Sequence, residues 1–420
     1  MTERKSQPSE EHLALLYRLS QTFNSSLDLD EVLNQVIDEV IAATRAERGF
    51  VMLSEPDGKL GFRTARGIDQ KTIEEPGFQV SRGVVERVAS KGQPMLTSDA
   101  QIDERISMRT SVMSLGLRSV LCVPLKVKET SIGVIYVDNR LKAGIFAQAD
   151  LDLMNAIAAN AAIAIENARL YQVAVEKGRM ERELQVAYKV QASLLPANIP
   201  QLPGWEFAAR WQPALEVAGD YYDFIQGPGE SLGLTIADVT DKGMPAALFM
   251  AFTRSIVRAS LDRAQRPEEG LTRANQLICS ESSYGFFVTL VYALIRPNSN
   301  EVIYVNAGHT PPLIYKSRKS QLEKLARTGI PLGIEPDSIF EQANVSLNQE
   351  DFILFYTDGL VDAVDAKGDR FGMERLQQVL LDNGSSPAVE IIAAIEDSLA
   401  AFVGETIQYD DITLLVAKRQ

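Results

Sequence analysis

The sequence predicts an α+β protein with two globular parts joined by a long helix, and three observations support this prediction. The first 140 residues alternate helix-like and strand-like segments. Residues 150–195 have a helical apolar pattern almost without a break. From about residue 200, apolar strand-like runs alternate with short connections and paired helices. A chain of 420 residues has room for two or three such domains.

The first part begins with two amphipathic helices. Apolar residues recur at helical spacing over 12–45, and Ser25, Ser26 and Asp28 precede the second helix as plausible helix-start residues. Residues 49–67 then alternate like a β-hairpin, and strand-like runs follow at 119–128 and 131–139. This order of helices and strands predicts an antiparallel sheet flanked by helices.

A long helix with apolar seams is predicted next. Seven residues define a first seam at spacings of three and four: Met154, Ile157, Ala161, Ala164, Ala168, Tyr171 and Val175. A second seam of different phase runs from Met180 to Leu194, and Gly178 lies between the two as either a hinge or a tolerated glycine. Small seam residues without a partner inside the segment predict a parallel homodimer. Pro196 cannot continue the helix.

Four short acidic motifs mark the last two hundred residues. They are AGDYYDF (218–224), IADVTDKGMPAAL (236–248), YTDGLVDA (356–363) and YDDITLLVA (409–417). Each places an Asp at the edge of an apolar strand-like run, so carboxylates from distant segments are expected to converge. Such a cluster needs cations, and hard divalent ions take oxygen ligands. Two ions about 3.5–4 Å apart suit phosphoester hydrolysis, which predicts a metal-dependent phosphatase.

The strands and helices around these motifs predict a layered domain. Helical stretches at 244–261 and 270–282 come as a pair, and apolar strands with short connections follow them. Sequential strands of this kind favour antiparallel sheets packed between helices. We therefore expect an α/β/β/α sandwich.

Composition excludes several classes of partner. The formal net charge of −14 opposes approach to nucleic acid and to anionic membranes, so a protein partner or a small ligand is favoured. Two distant cysteines, Cys122 and Cys279, fit a reducing compartment. The polar N-terminus and the absence of an apolar run of about 18 residues predict a cytoplasmic protein without a membrane span.

The N-terminal part resembles a GAF domain over about residues 12–168, through RSVLCVPL, IGVIYVDNR and the helix DLDLMNAIAANAAIAIENA. The resemblance implies a sensor domain over 1–150, with its exit helix reaching about 168, and a small-molecule ligand there. Asn139, Arg140, Phe146 and Asp150 resemble part of the N-K-F-D-E pattern of nucleotide-binding GAF domains. Their alternative role is to cap the last helix and attach it to the sheet.

A helical coiled-coil linker is then expected over 151–196, and a phosphatase domain over 197–420. Residues 185–420 resemble the SpoIIE/RsbU branch of PPM, or type 2C, phosphatases through QASLLP, VAGDYYDF, ADVTDKGMPAAL, FVTL, NAGHTPP, YTDG and DDIT, in family order. The resemblance implies a serine/threonine phosphatase with two Mn²⁺ or Mg²⁺ ions. It also implies a phosphorylated STAS-domain protein, an anti-anti-sigma factor, as substrate and partner.

The same resemblance assigns the site residues. It makes Asp238 the central ligand of both ions, with the Val239 carbonyl beside it, and Asp220 the early acidic ligand. Asp358 and Asp410 match the later ligands, and Asp411 would order a coordinated water. The implied catalytic set is Asp220, Asp238, Asp358 and Asp410. Three neighbouring acids are interpreted as loop caps or solvated charges, namely Asp223, Asp241 and Asp362.

Two departures from the wider superfamily affect the expected mechanism. Thr240 stands where many type 2C enzymes carry a histidine acid, and no clear counterpart of their phosphate-binding arginine is found. His309 lies in NAGHTPP, where a structural role in a turn is expected. The sequence thus predicts a GAF-regulated phosphatase acting on a protein. The alternative is a catalytically inactive scaffold that only binds its partner.

Overall fold

The computed structural model describes residues 10–23, 25–55, 57–67, 69, 71–73, 80–103, 116–262, 264–282, 285–297 and 299–420, and for residues 10–16 the backbone alone. The chain divides into two compact units, Met1–Met180 and Glu181–Gln420. Each unit has its own sheets and its own core, and each is described by itself.

The first unit holds one antiparallel sheet with strand order β2-β1-β5-β4-β3. The Asp28 carboxylate accepts the N–H groups of Asp30 and Glu31, which confirms the predicted start of the second helix. The elements of this unit are α1 Glu10–Phe23, α2 Leu29–Thr44, β1 Arg48–Ser54, β2 Leu60–Gly67, α3 Arg82–Lys91, β3 Met95–Thr97, β4 Ser119–Val127, β5 Thr130–Asn139 and the first part of α4 Gln148–Leu194.

Each face of this sheet has its own core. One core includes Leu19 of α1, Val36 of α2 and Ile157 of α4 against Val51 of β1. The other core packs Val84 of α3 and its neighbours on the opposite face. Strand residues therefore alternate between two apolar environments, which explains their nearly continuous hydrophobic runs.

Helix α4 runs from Gln148 to Leu194, so Gly178 lies within a helix, and its role as a hinge stays a prediction. The first predicted seam is wrong over its first five members, because Met154 to Ala168 are buried in the core of the first unit. Small and apolar residues at helical spacing predict a buried face equally well, whether it packs on a sheet or on a second chain. Tyr171 and Val175 of that seam are exposed.

The second unit contains two five-stranded sheets, with strand orders β13-β10-β9-β8-β7 and β12-β11-β14-β15-β6. Its strands are β6 Trp205–Gln212, β7 Tyr221–Gln226, β8 Leu232–Val239, β9 Val288–Ile295, β10 Glu301–Ala307, β11 Leu313–Lys316, β12 Gln321–Lys324, β13 Ala343–Ser346, β14 Phe352–Tyr356 and β15 Ile412–Arg419. Its helices are α5 Met244–Asp262, α6 Pro267–Glu281, α7 Gly359–Asp362, α8 Gly372–Asp382 and α9 Ala388–Val403.

The two sheets pack face to face through a shared apolar core that includes Ile236 of β8 and Phe355 of β14. Helices α5 and α6 cover the outer face of the first sheet, and α8 and α9 cover the outer face of the second. The predicted α/β/β/α sandwich is confirmed. Among the described helices of the whole chain, none has the length and apolar character to cross a membrane.

Candidate metal centre

The acidic motifs converge because four strand ends lie at one edge of the sandwich. Asp220 immediately precedes β7 and Asp238 lies near the end of β8, whose antiparallel pairing sets Tyr221 opposite Ala237. In the other sheet, Asp358 follows β14, and Asp410 and Asp411 precede β15. The structure therefore brings together all five acidic residues that the sequence singled out.

Asp238 is the electrostatic centre of this group. Its burial and the nearby carboxylates of Asp358 and Asp410 raise its pKa to about 7. Asp220 is buried, and its burial together with the charge of Asp238 raises its pKa well above the usual range. These side chains hold a proton unless positive charge is supplied, because ionised carboxylates repel one another at short range.

Two threonine hydroxyls support Asp220 from the second sheet. Thr413 of β15 donates its hydroxyl to Asp220 Oδ2 at 2.8 Å, and a bond from Thr357 also opposes the rise in its pKa. The N–H of Thr413 is in turn bonded to Thr357 Oγ1. These contacts fix the orientation of the Asp220 carboxyl between the two sheets.

Asp358 and Asp410 lie on the more open side. Burial, then the charges of Asp410 and Asp362, raise the pKa of Asp358. Asp410 Oδ1 is 3.0 Å from Lys242 Nζ and accepts the N–H of Asp411. The ammonium of Lys242 therefore already neutralises part of the charge at this edge.

Asp411 is held by backbone donors. Its two carboxylate oxygens accept the N–H groups of Ala214 and Gly219 at 2.8 and 2.7 Å. Burial raises its pKa, and these N–H bonds oppose the rise. Asp411 thus fixes the loop that carries Asp220, and its proposed part in ordering a water stays a prediction.

Two glycines allow the strand ends to approach closely. A Cβ on Gly219 would lie 3.2 Å from the carbonyl oxygen of Val239, and one on Gly359 would lie 2.1 Å from that of Asp411. The Val239 carbonyl, the predicted main-chain donor, therefore borders the segment before Asp220. The pairs Gly219-Asp220 and Asp358-Gly359 are the sequence signal for this approach.

The donor set suits hard divalent cations, since it consists of carboxylate and carbonyl oxygens. Within the described residues, no three Asp, Glu, His or Cys side chains already form a metal-holding group. The hydrogen bonds explain this arrangement, because Asp220 faces Thr413, Asp410 faces Lys242 and Asp411 faces backbone N–H groups. Coordination would therefore require side-chain rotation, above all at Asp410.

The three neighbouring acids differ in their surroundings. Asp241 and Asp362 are exposed, in agreement with the interpretation as solvated charges, and Asp362 binds Arg370. The interpretation is wrong for Asp223, which is 1% exposed and pairs with Arg254 and Arg258 of α5. The alternating strand pattern of β7 turns Asp223 inward, and the sequence did not indicate which arginines would meet it.

The histidine and threonine assignments agree with the structure. His309 is buried, its Nδ1 lies 2.7 Å from Thr289 Oγ1, and burial lowers its pKa to about 4. The imidazole is thus neutral near pH 7 and supports β9, the strand opposite Asp238. Thr240 Oγ1 lies 3.2 Å from both the carbonyl and the N–H of Phe287, so this hydroxyl fixes the end of β8.

Sequence reasoning missed the end of helix α4 as a neighbour of the site. Gln191 donates to the carbonyl of Ala218 at 2.6 Å and accepts its N–H at 3.0 Å. Tyr188 stacks on Trp211, whose indole N–H bonds the carbonyl of Asp220 at 2.9 Å. The only sequence signal for this contact was Gln191 itself, a polar residue in the otherwise apolar second seam from Met180 to Leu194.

In the first unit, the partial N-K-F-D-E residues have structural contacts. Asn139 Oδ1 accepts the N–H groups of Leu141 and Lys142, and Phe146 is part of the core. Arg140 pairs with Glu47, and Asp150 accepts the N–H of Ala147 at the start of α4. These contacts agree with the alternative that the residues cap the helix and attach it to the sheet.

Comparison with known proteins assigns the fold of the second unit to a class, the PPM-type phosphatases. The family described as Stage II sporulation protein E (SpoIIE) matches residues 228–420, and the GAF domain family matches 26–166. The SiaA-PP2C domain of Pseudomonas aeruginosa has the same fold, with a TM-score of 0.53 and 21% identity over 59% of this chain and 99% of that domain.

Relatives with similar sequences show to which branch of the PPM-type phosphatases the chain belongs. The phosphoserine phosphatase RsbU of Bacillus subtilis is 30% identical over 243 residues, which are 57% of this chain and 71% of RsbU. Protein IcfG of Synechocystis is 28% identical over 272 residues, 58% of this chain and 43% of IcfG. The chain therefore spans less than half of IcfG. It belongs to the SpoIIE/RsbU family of PPM serine/threonine phosphatases, with a GAF domain before the phosphatase domain.

Proposed function

We propose that the chain hydrolyses phosphoserine or phosphothreonine in a phosphorylated STAS-domain protein, with two Mn²⁺ or Mg²⁺ ions. One observation carries this proposal: five carboxylates meet at a single edge of the sandwich, and four of them are buried enough to have raised pKa values near other acids. Such a cluster weakens the fold unless cations bind, so its presence favours an active metal centre over an inactive scaffold.

Each residue has a proposed part in holding the ions. Asp238 would contact both ions, and Asp220, Asp358, Asp410 and the Val239 carbonyl would supply the other ligands. Asp411 would order a coordinated water, and it also fixes the loop at Gly219. Domain boundaries near 150 and 197 are part of the same proposal.

Divalent ions in such a site supply an activated water and neutralise phosphoryl oxygens. The chain's own residues prepare the site for that chemistry. Thr413 orients Asp220, and Gly359 leaves room where Asp358 meets the Asp410-Asp411 segment. Lys242 supplies a positive charge beside Asp410.

Phosphate release tests this proposal. The full chain would be incubated with Mn²⁺ and a phosphorylated STAS protein, alone and as Asp358→Ala, with exposed Asp241→Asn as the matched control. We expect phosphate release by the wild type and the control, and a loss of at least about 10²-fold in Asp358→Ala. If the wild type releases no phosphate while Asp238→Asn still binds the partner, the scaffold alternative is correct.

We also propose that the GAF domain regulates this activity through α4. The contacts of Gln191 with Ala218 and of Tyr188 with Trp211 support this, because both join the end of the helix to the segment that carries Asp220. A change in the packing or rotation of α4 would thus act on a candidate ligand. Removal of residues 1–150 should change the activity or the oligomeric state, and no change in either would contradict the model.

The remaining parts of the proposal concern ligand, assembly and location. A cavity of about 670 Å³ between β1, β2 and α3 would hold a small-molecule ligand of the GAF domain.

Exposed Leu170, Val173 and Met180 on α4 support a parallel homodimer, which analytical ultracentrifugation would detect. The unpaired thiols of Cys122 and Cys279 support a cytoplasmic location.

A further inference from the structure

A second feature of the phosphatase unit lies directly beside the candidate metal centre. A cavity of about 500 Å³ opens between α7, the second half of α9 and the segment 404–411. Gly359 and Asp410 line it, and both also belong to the edge where the carboxylates meet. The cavity and the candidate metal centre therefore share a wall.

The walls of this cavity are apolar and its charged groups are mostly acidic. Its apolar lining includes Leu360, Ile395, Leu399, Val403, Ile412 and Leu414. Its charged lining consists of the acids Asp362, Glu396, Asp397 and Asp410 and one base, Arg210. Arg210 already pairs with Glu396 at 2.7 Å. An anionic occupant would be repelled, whereas an apolar group with a basic neighbour would fit.

The position of the cavity suggests where such an occupant would come from. A phosphorylated side chain whose phosphoryl group reaches Asp410 must place its own backbone over this edge. Extended chain advances about 3.3 Å per residue, so residues one to four positions away lie within reach of the cavity. Ile407 lines this cavity and is 77% exposed, so its side chain is accessible to an occupant.

We propose that this cavity binds an apolar side chain of the phosphoprotein substrate, close in sequence to the phosphorylated residue and flanked by a basic residue. The proposal rests on the phosphatase function proposed above and adds a source of substrate specificity. Burying one aliphatic side chain of the substrate would raise kcat/KM by about 10- to 100-fold.

Synthetic phosphoserine peptides test this directly. The peptides carry one phosphoserine in an alanine and lysine background, and a single leucine is moved through four positions on either side. The measured quantity is the leucine gain, defined as kcat/KM for a leucine peptide divided by kcat/KM for the peptide without leucine. We expect a gain of about tenfold or more at one or two positions and almost none elsewhere.

Two substitutions one residue apart provide a matched comparison. Both alanines are exposed on α9, but Ala400 lines the cavity and Ala401 lies outside it. Ala400→Phe fills the cavity and should reduce the leucine gain to less than about twofold, while Ala401→Phe should keep it. Ile407→Ser, on an exposed side chain that the fold does not need, should lower the gain by at least about threefold.

The outcomes separate this proposal from the phosphatase function. If peptides are hydrolysed but no leucine position gives a gain, or Ala400→Phe keeps the full gain, the cavity does not bind substrate. If aspartate in place of leucine gives the larger gain, the acidic lining does not select the substrate and the proposal is wrong. If no phosphoserine peptide or STAS phosphoprotein is hydrolysed, the phosphatase function itself fails, and this proposal with it.

Discussion

Asp238→Asn should make the phosphatase unit more stable in the presence of a chelator while removing its function. The burial of Asp238 and its neighbours Asp358 and Asp410 raise its pKa from 3.8 to about 7. That difference corresponds to about 4 kcal/mol of cost for the ionised form in the folded protein. Solvent screening and a titration shared with Asp220 reduce the expected gain to about 1–3 kcal/mol.

The pH dependence follows from the direction of this change. A carboxyl with a raised pKa binds its proton more strongly in the folded than in the unfolded chain, so wild-type stability falls as pH rises from about 4 to 7. The asparagine variant does not ionise and lacks this fall. The free energy of unfolding of Asp238→Asn should therefore exceed that of the wild type by the whole of about 1–3 kcal/mol at pH 8, and by little near pH 4.

Thermal unfolding with a chelator, at pH 8 and at pH 5, measures this effect. Both tryptophans of the chain, Trp205 and Trp211, lie in the phosphatase unit, so their fluorescence reports its unfolding alone. We expect Asp238→Asn to raise Tm by about 2–10 °C at pH 8. Exposed Asp241, whose φ of 74° asparagine also tolerates, supplies the control Asp241→Asn.

Added Mn²⁺ should reverse the order of stability. At a free concentration of about 100 times Kd, bound metal stabilises the wild type by about 2.7 kcal/mol, and Asp238→Asn should lose most of this gain. If Asp238→Asn is no more stable than the wild type at pH 8 with chelator, the electrostatic account of the cluster is refuted.

Three further substitutions probe the groups around the carboxylates. Lys242→Met should bind Mn²⁺ several-fold more tightly in calorimetry, because the ion no longer competes with the ammonium for Asp410, and equal or weaker binding would contradict this. Thr413→Val removes the hydroxyl bonded to Asp220 and should lower the free energy of unfolding in urea by about 1–3 kcal/mol, whereas unchanged stability would show that this bond contributes nothing. Gln191→Ala leaves the N–H and carbonyl of Ala218 without partners and should reduce both phosphatase activity and thermal stability, while exposed Ser193→Ala should change neither.

Much of the fold was predictable because local pattern and turn chemistry agree with the tertiary structure. Asp28 indicated a helix start, and the alternating strands indicated two antiparallel sheets between helices. The seam from Met154 to Ala168 was less informative, since a helix face that packs on a sheet and one that packs on a second helix have the same period. Sequence periodicity does not name the partner of an apolar face.

The candidate site was predictable where a carboxylate stands next to a glycine at a strand end, as at Asp220 and Asp358. It was not predictable where the partner is distant in sequence. Lys242 meets Asp410 across 168 positions, and Gln191 meets Ala218 from a helix outside the sandwich. Such contacts depend on how the elements pack, and neither spacing nor residue type indicates them in a single sequence.

Anomalous diffraction from crystals of the full chain grown with Mn²⁺ tests the central proposal most directly. Data collected at the manganese edge should show two strong peaks about 3.5–4 Å apart, bounded by Asp220, Asp238, Asp358 and Asp410. The same data from Asp238→Asn crystals should lack both peaks. A wild-type map without peaks at this edge, or with manganese bound elsewhere, would contradict the proposal that these carboxylates form the metal centre.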